Sequence, residues 1–116
     1  MSDSPIDLER IQDATGGDTE FMRELVGIFL EDAQLRIQEL HRALIAGDPS
    51  EFGKTAHKLK GSSANLGAVG ICSLAKDLED LGRQQRLEGA APVLQGLEAE
   101  LVRVESTLTQ IVAGAA

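Results

Sequence analysis

The sequence predicts an all-α fold: an up-down-up-down antiparallel four-helix bundle with a short extra helix at the N-terminus. Three observations carry this expectation. Apolar residues recur every three or four positions along nearly all of the 116 residues. Glycines and an Asp-Pro pair break that pattern into separate stretches. Aromatic residues make up only 3%, with no Trp and no Tyr, so Leu, Ala and Ile must fill the core, which favours helices over a β-sandwich.

The elements follow in order. Ser4, Pro5 and Asp7 read as a helix start, with a cap, a first-turn proline and an acid near the positive end. This short helix is expected from about Pro5 to Ala14, ended by Gly16-Gly17. Asp18 caps a long second helix reaching about Ala46. Its apolar face is Met22, Val26, Phe29, Leu30, Ala33, Ile37, Leu40 and Leu44, and Gly47 stops it. Asp48-Pro49 supplies another cap and first-turn proline. The third helix covers roughly Ser50 to Leu66, with Phe52, Ala56, Leu59 and Leu66 inside and small Ser63 between them; Gly67 ends it. The fourth begins near Val69 or Gly70 and buries Ile71, Leu74, Ala75, Leu78 and Leu81. Gly89 to Pro92 is the last break, after which Leu94, Leu97, Leu101, Val104, Leu108 and Ile111 define the final helix. The tail from Ala113 is expected to fray. There is no strand pattern, internal repeat or low-complexity tract.

Length and charge narrow the function. A chain of 12.3 kDa is one domain, 1–116, long enough to bury a core without a metal or disulfide. The net charge of −8 repels nucleic acid and anionic membranes. The single cysteine, Cys72, forms no internal disulfide, which suits a reducing compartment and so the cytoplasm. The start, MSDSPIDLER, lacks the pattern of a secretion signal, and no apolar run is long enough to span a bilayer.

The unusual stretch is 53–63, GKTAHKLKGSS. At 100° per residue the core side of the third helix centres on Phe52, Leu59 and Ser63, and His57 faces water. Gly53 lies one turn before it and Gly61 one turn after, with Ala64 on the same face. A mid-helix glycine costs about 0.5–1 kcal/mol against alanine, and local propensity gives nothing in return. The expected effect is to clear side chains from around the imidazole so that a large partner can approach. Lys54, Lys58 and Lys60 add a positive island to an acidic protein, offset nearby only by Glu51. A neutral imidazole has one nitrogen free as nucleophile, and an acceptor on the other fixes the tautomer. Counting back from a turn near Ala68 sets residue 57 level with Glu79, on the flank of the fourth helix, with small Gly82 beside it. The alternative for Glu79 is a pair with Arg83 at i+4.

The run 57–67, HKLKGSSANLG, closely resembles the signature of histidine-containing phosphotransfer (HPt) domains, and the helix plan matches over essentially the whole chain. The resemblance implies that His57 is phosphorylated on its outer nitrogen, with Lys60 and Gly61 as the family's neighbours. It implies that Glu79 stands where members carry a Gln or Glu bonded to the inner nitrogen. It further implies docking of a receiver domain on an apolar patch of the first two helices, where Ile11, Phe21 and Leu25 stand. The implied partners are receiver domains of response regulators and hybrid sensor kinases. One receiver aspartate donates to His57 and a second accepts from it. Mg²⁺ is expected from the receiver, with no cofactor or metal of this chain's own, and the chain is expected to be a monomer.

Blander roles compete at several positions. Ile11, Phe21 and Leu25 also fit plain core, and the lysines a solvated face. Ser62 and Ser63 suit close packing or bonds to the preceding turn. His41 is expected to be structural or a bystander, and Cys72 a small packing residue. Two distant histidines and one cysteine make no zinc set. Neither a GK[ST] phosphate loop nor G-x-S-x-G occurs, so the chain is expected to carry phosphoryl groups without generating them. The competing functions are a helical adaptor that binds a receiver or kinase without carrying phosphate, and a plain dimerising bundle.

Overall fold

Three aspartates start the first three helices by the same device. The side chain of Asp7 accepts from Arg10 N–H at 3.3 Å, that of Asp18 from Phe21 N–H at 3.0 Å, and that of Asp48 from Glu51 N–H at 3.1 Å. Each bond satisfies a first-turn donor that the helix itself cannot. The computed structural model describes residues 6–115. It holds five α-helices: α1 Leu8–Thr15, α2 Thr19–Ala46, α3 Pro49–Leu66, α4 Val69–Arg83 and α5 Ala90–Ala115. Among the described residues there is no strand. Among the described residues the first helix begins after Asp7, which is itself the cap. Ser4 and Pro5 lie outside the described residues.

α2, α3, α4 and α5 form the bundle, each touching the next and α5 closing back on α2. Its core runs from Met22, Phe29 and Leu40 through Phe52, Leu59, Ile71 and Leu78 to Leu94, Leu97, Val104 and Leu108, all buried. Leu30, Leu44, Leu74, Leu81 and Ile111, expected inside, are partly buried and pack against it. Truncating a fully enclosed side chain such as Phe52 leaves a void and costs about 3–5 kcal/mol.

α1 closes one end of the bundle. Asp7 N–H donates to Gly67 O at 2.7 Å, and Arg10 Nε donates to Asn65 O at 3.4 Å. Gly67 ends α3 with φ +82°, and a Cβ there would sit 2.9 Å from Arg10 Cβ. Glycine is therefore required twice at this position, for its dihedral and for the seat of α1.

The last connection differs from the sequence pattern. α4 ends at Arg83, Gln85 takes a left-handed φ of 57°, and Leu87–Gly89 form a single 3₁₀ turn. α5 then starts at buried Ala90, so Pro92 belongs to its first turn and not to a break. The helix continues through Ala113 to Ala115, beyond the expected point of fraying. His41 of α2 bonds Glu98 of α5 at 3.0 Å, a link between neighbouring helices on the surface.

Candidate functional site

α3 and α4 approach unusually closely because small residues face each other across the seam. Gly53, Ala56, Ala75 and Gly82 are all buried. A Cβ built on Gly82 would lie 2.8 Å from both Cα and N of Gly53, so the two backbones touch there. One turn along from this crossing, His57 on α3 and Glu79 on α4 come opposite each other.

His57 stands on the open side of the seam with its side chain 63% exposed, while that of Glu79 is 3% exposed. His57 Nδ1 lies 2.7 Å from Glu79 Oε2. Lys60 Nζ donates to Oε1 of the same carboxylate at 2.7 Å, and Arg83 Nη2 donates to Oε2 at 2.9 Å. Burial pushes the Glu79 carboxyl up, but hydrogen bonds from Lys60 and His57 and the charges of Lys60 and Arg83 outweigh it. The net result holds this carboxyl below its ordinary value. An ionised carboxylate is acceptor-only, so Nδ1 must carry the hydrogen and donate it. In the tautomer this bond selects, the lone pair is on Nε2, on the side of the ring away from Glu79.

The surroundings fit an approaching group. Gly61 has nothing within 4 Å of where a Cβ would stand, and Ala64 is exposed one turn further on. A groove of about 650 Å³ beside the ring is lined by Gly53, Lys54, Lys58, Arg83 and the His57–Glu79 pair, among others. Among the described residues no cluster of three or more His, Cys, Asp or Glu suits a metal ion.

Several sequence expectations change. Gly53 does not clear space for a partner; it is buried, and its missing side chain admits α4 instead. Glu79 is not a flank residue but an enclosed one, reached by His57 because the glycine crossing narrows the gap. Its two alternative partners hold together, since one carboxylate serves both His57 and Arg83. Lys60 is spent on Glu79, whereas Lys54 and Lys58 remain exposed. Ile11 is 0% exposed and belongs to the core, because α1 lays that face on the bundle end. Phe21 is 46% exposed and Leu25 half-buried; both border a cavity of about 320 Å³ shared with Ser62 and Asn65 of α3. Ser62 and Ser63 bond Leu59 O, at 3.1 and 2.6 Å. The sequence reading passed over Ile28 and Leu35, 65% and 47% exposed on α2. The seven-residue intervals from Phe21 to Ile28 and from Ile28 to Leu35 were the available signal.

Comparison with known proteins agrees with this geometry. The family model of the Hpt domain matches residues 24–107. Histidine-containing phosphotransfer protein 2 of Arabidopsis thaliana is 29% identical over 111 residues, 93% of this chain and 70% of that protein. Histidine-containing phosphotransfer protein 1 of Oryza sativa subsp. japonica is 32% identical over 100 residues, 84% of this chain and 63% of its own length. The crystal structure of histidine-containing phosphotransfer protein B from Pseudomonas aeruginosa superposes with a TM-score of 0.87 at 30% identity, covering 97% of both chains. The chain belongs to the Hpt domain family, and its function is phosphotransfer within a phosphorelay.

Proposed function

We propose that His57 is the phosphoryl carrier, taking the group from one receiver aspartate and giving it to another. The bond that Nδ1–H donates to Glu79 carries this reading, because it leaves Nε2 as the nucleophile on an open surface. Nε2 attacks the phosphorus of a receiver acyl phosphate in line. The Nε2–P bond forms, the P–O bond to the aspartate breaks, and that electron pair leaves on the carboxylate. The Nδ1 proton stays in place throughout. The phosphorylated ring becomes cationic, and the Glu79 carboxylate 2.7 Å away offsets that charge. Lys60 and Arg83 orient the carboxylate, while Lys54 and Lys58 face the transferred oxygens. Return to a second receiver runs the same steps backwards.

The acidic pocket of the receiver would hold Mg²⁺, which would supply charge neutralisation during the transfer, and this chain contributes no ligand to it. This chain acts stoichiometrically as a monomer in the cytoplasm and has no ATP site of its own. An adaptor that carried no phosphate would gain nothing from a buried carboxylate locking one imidazole tautomer.

The test mixes the chain with a receiver domain phosphorylated on its aspartate. Acid-labile phosphate should appear on the wild type and be absent from His57→Gln, with helical circular dichroism unchanged. Normal uptake by that variant overturns the assignment.

A further inference from the structure

α2 turns a ladder of alternating character to solvent. Phe21, Ile28 and Leu35 are exposed at seven-residue intervals, and exposed Glu24 and Glu31 stand between them. Steps of three and four set these five side chains along one edge of the helix. α2 and α3 run antiparallel from the turn at Gly47-Asp48, which brings Leu35 about level with Lys60 and so within a turn of His57. The ladder therefore leads up to the phosphotransfer site.

Between Phe21 and Leu35 the nearby cations are engaged or turned away, and exposed Arg42 continues the same edge only one heptad past Leu35, at the end of the ladder nearer Lys54. Arg36 pairs with Asp32 at 3.2 Å and with Glu39 at 2.8 Å. Arg10 donates to the Asn65 carbonyl. Arg23 lies about 200° round the helix from Phe21. Glu24 and Glu31 thus give the apolar ladder a negative rim. At the His57 end the sign reverses, with Lys54 and Lys58 exposed beside the groove.

We propose that this rim selects the partner: the receiver that docks here presents an apolar patch flanked by lysine or arginine. This rests on the relay reading above. The receiver's acidic pocket meets the lysines by His57 while its basic flank meets Glu24 and Glu31. The two pairings have opposite sense, so they also fix orientation; a receiver turned end for end sets acid on acid and base on base. A receiver with an acidic flank is rejected even when its apolar patch matches.

The experiment measures binding of isolated, unphosphorylated receiver domains to the full chain by calorimetry, and separately phosphoryl uptake from the same receivers after phosphorylation on their aspartate. The variants are Glu24→Lys with Glu31→Lys, and Lys76→Glu as a control on the exposed face of α4. For the receiver that binds wild type most tightly, the double variant should raise Kd roughly tenfold at about 50 mM salt, and the difference should shrink at about 0.5 M. A receiver with an acidic flank should bind the double variant more tightly than wild type. Lys76→Glu should alter neither. Unchanged or tighter binding of the preferred receiver to the double variant overturns the proposal. So does self-association of the wild type that the double variant abolishes, which would give the ladder to a second copy. A receiver that binds wild type but never phosphorylates it overturns the relay reading instead, and Kd alone then reads the rim's preference.

Discussion

Gly53 and Gly82 meet backbone to backbone where α3 crosses α4, and the relationship is asymmetric. A Cβ on Gly82 would lie 2.8 Å from Gly53 Cα and N and 2.9 Å from Pro49 O, all backbone atoms. A Cβ on Gly53 would lie 3.7 Å from Gly82 Cα, an ordinary contact. Gly82→Ala must push the helices apart and should cost about 1–3 kcal/mol by overpacking. It should also lengthen the His57–Glu79 bond and slow phosphoryl uptake. Gly53→Ala should be neutral or stabilise by up to about 1 kcal/mol through helix propensity. Paired thermal melts check the contrast, and equal effects of the two substitutions would contradict the crossing geometry.

Gly61 is the converse case, with only open space around its missing side chain. Gly61→Gln should fold as well as wild type or better, by up to about 1 kcal/mol. The added side chain stands one turn from His57 on the docking face, so transfer from a receiver should fall by an order of magnitude or more. Uptake from a receiver, followed over time beside a denaturant melt, separates the two effects. Wild-type transfer rates would remove the clearance argument for this glycine.

The parts of the fold that were legible in the sequence are those decided locally. Asp18, Gly47, Asp48-Pro49 and Gly67 mark helix ends within a few residues of themselves, and the structure places the ends there. His57 was legible because exposed position, flanking glycine and lysines coincide in one short run. What stayed hidden depends on residues distant in sequence. Gly53 looked like clearance because its partner, Gly82, is on another helix. Ile11 and Phe21 have similar spacing signals, yet only the docking angle of α1 decides that Ile11 is covered and Phe21 is not. No glycine follows the end of α4 at Arg83 to stop it; Gln85 takes the left-handed position instead. Both readings of Glu79 were correct at once, since spacing cannot say how many donors a carboxylate will collect.

The start of α4 is another feature set at a distance. Ala68 offers no side-chain cap, and the first turn has no acid. Glu100 of α5 brings a carboxylate there, filling the space that a Gly70 side chain would need, and Arg103 shares its charge at 2.9 Å, so Arg103→Gln is the control for the ion pair. Negative charge at a helix N-terminus contributes about 0.3–1 kcal/mol. Glu100→Gln should lose that amount at low salt and show little loss at about 1 M salt, where screening is short-ranged. Denaturant titrations at the two ionic strengths measure it. A salt-independent loss would assign Glu100 a packing role only.

Glu79 ties stability to chemistry through pH. Its folded carboxyl sits below the ordinary value of 4.5, for the reasons of hydrogen bonding and charge already given. Between that value and 4.5 the unfolded chain binds a proton that the folded chain does not, so stability rises with pH across the interval. The contribution is complete above about pH 4.5 and is lost as pH falls through the folded pKa. Glu79→Gln removes the ionised acceptor of Lys60, His57 and Arg83 and should cost about 1–3 kcal/mol at neutral pH. The stability difference between wild type and variant should then close as pH falls through the folded pKa of Glu79, because the wild-type carboxyl also becomes neutral. Glutamine can still accept from Nδ1, so the tautomer survives while the offsetting charge does not. Phosphoryl uptake at pH 7 should therefore slow roughly tenfold without vanishing. A difference in stability that stays constant with pH would show that Glu79 is held by shape and not by charge.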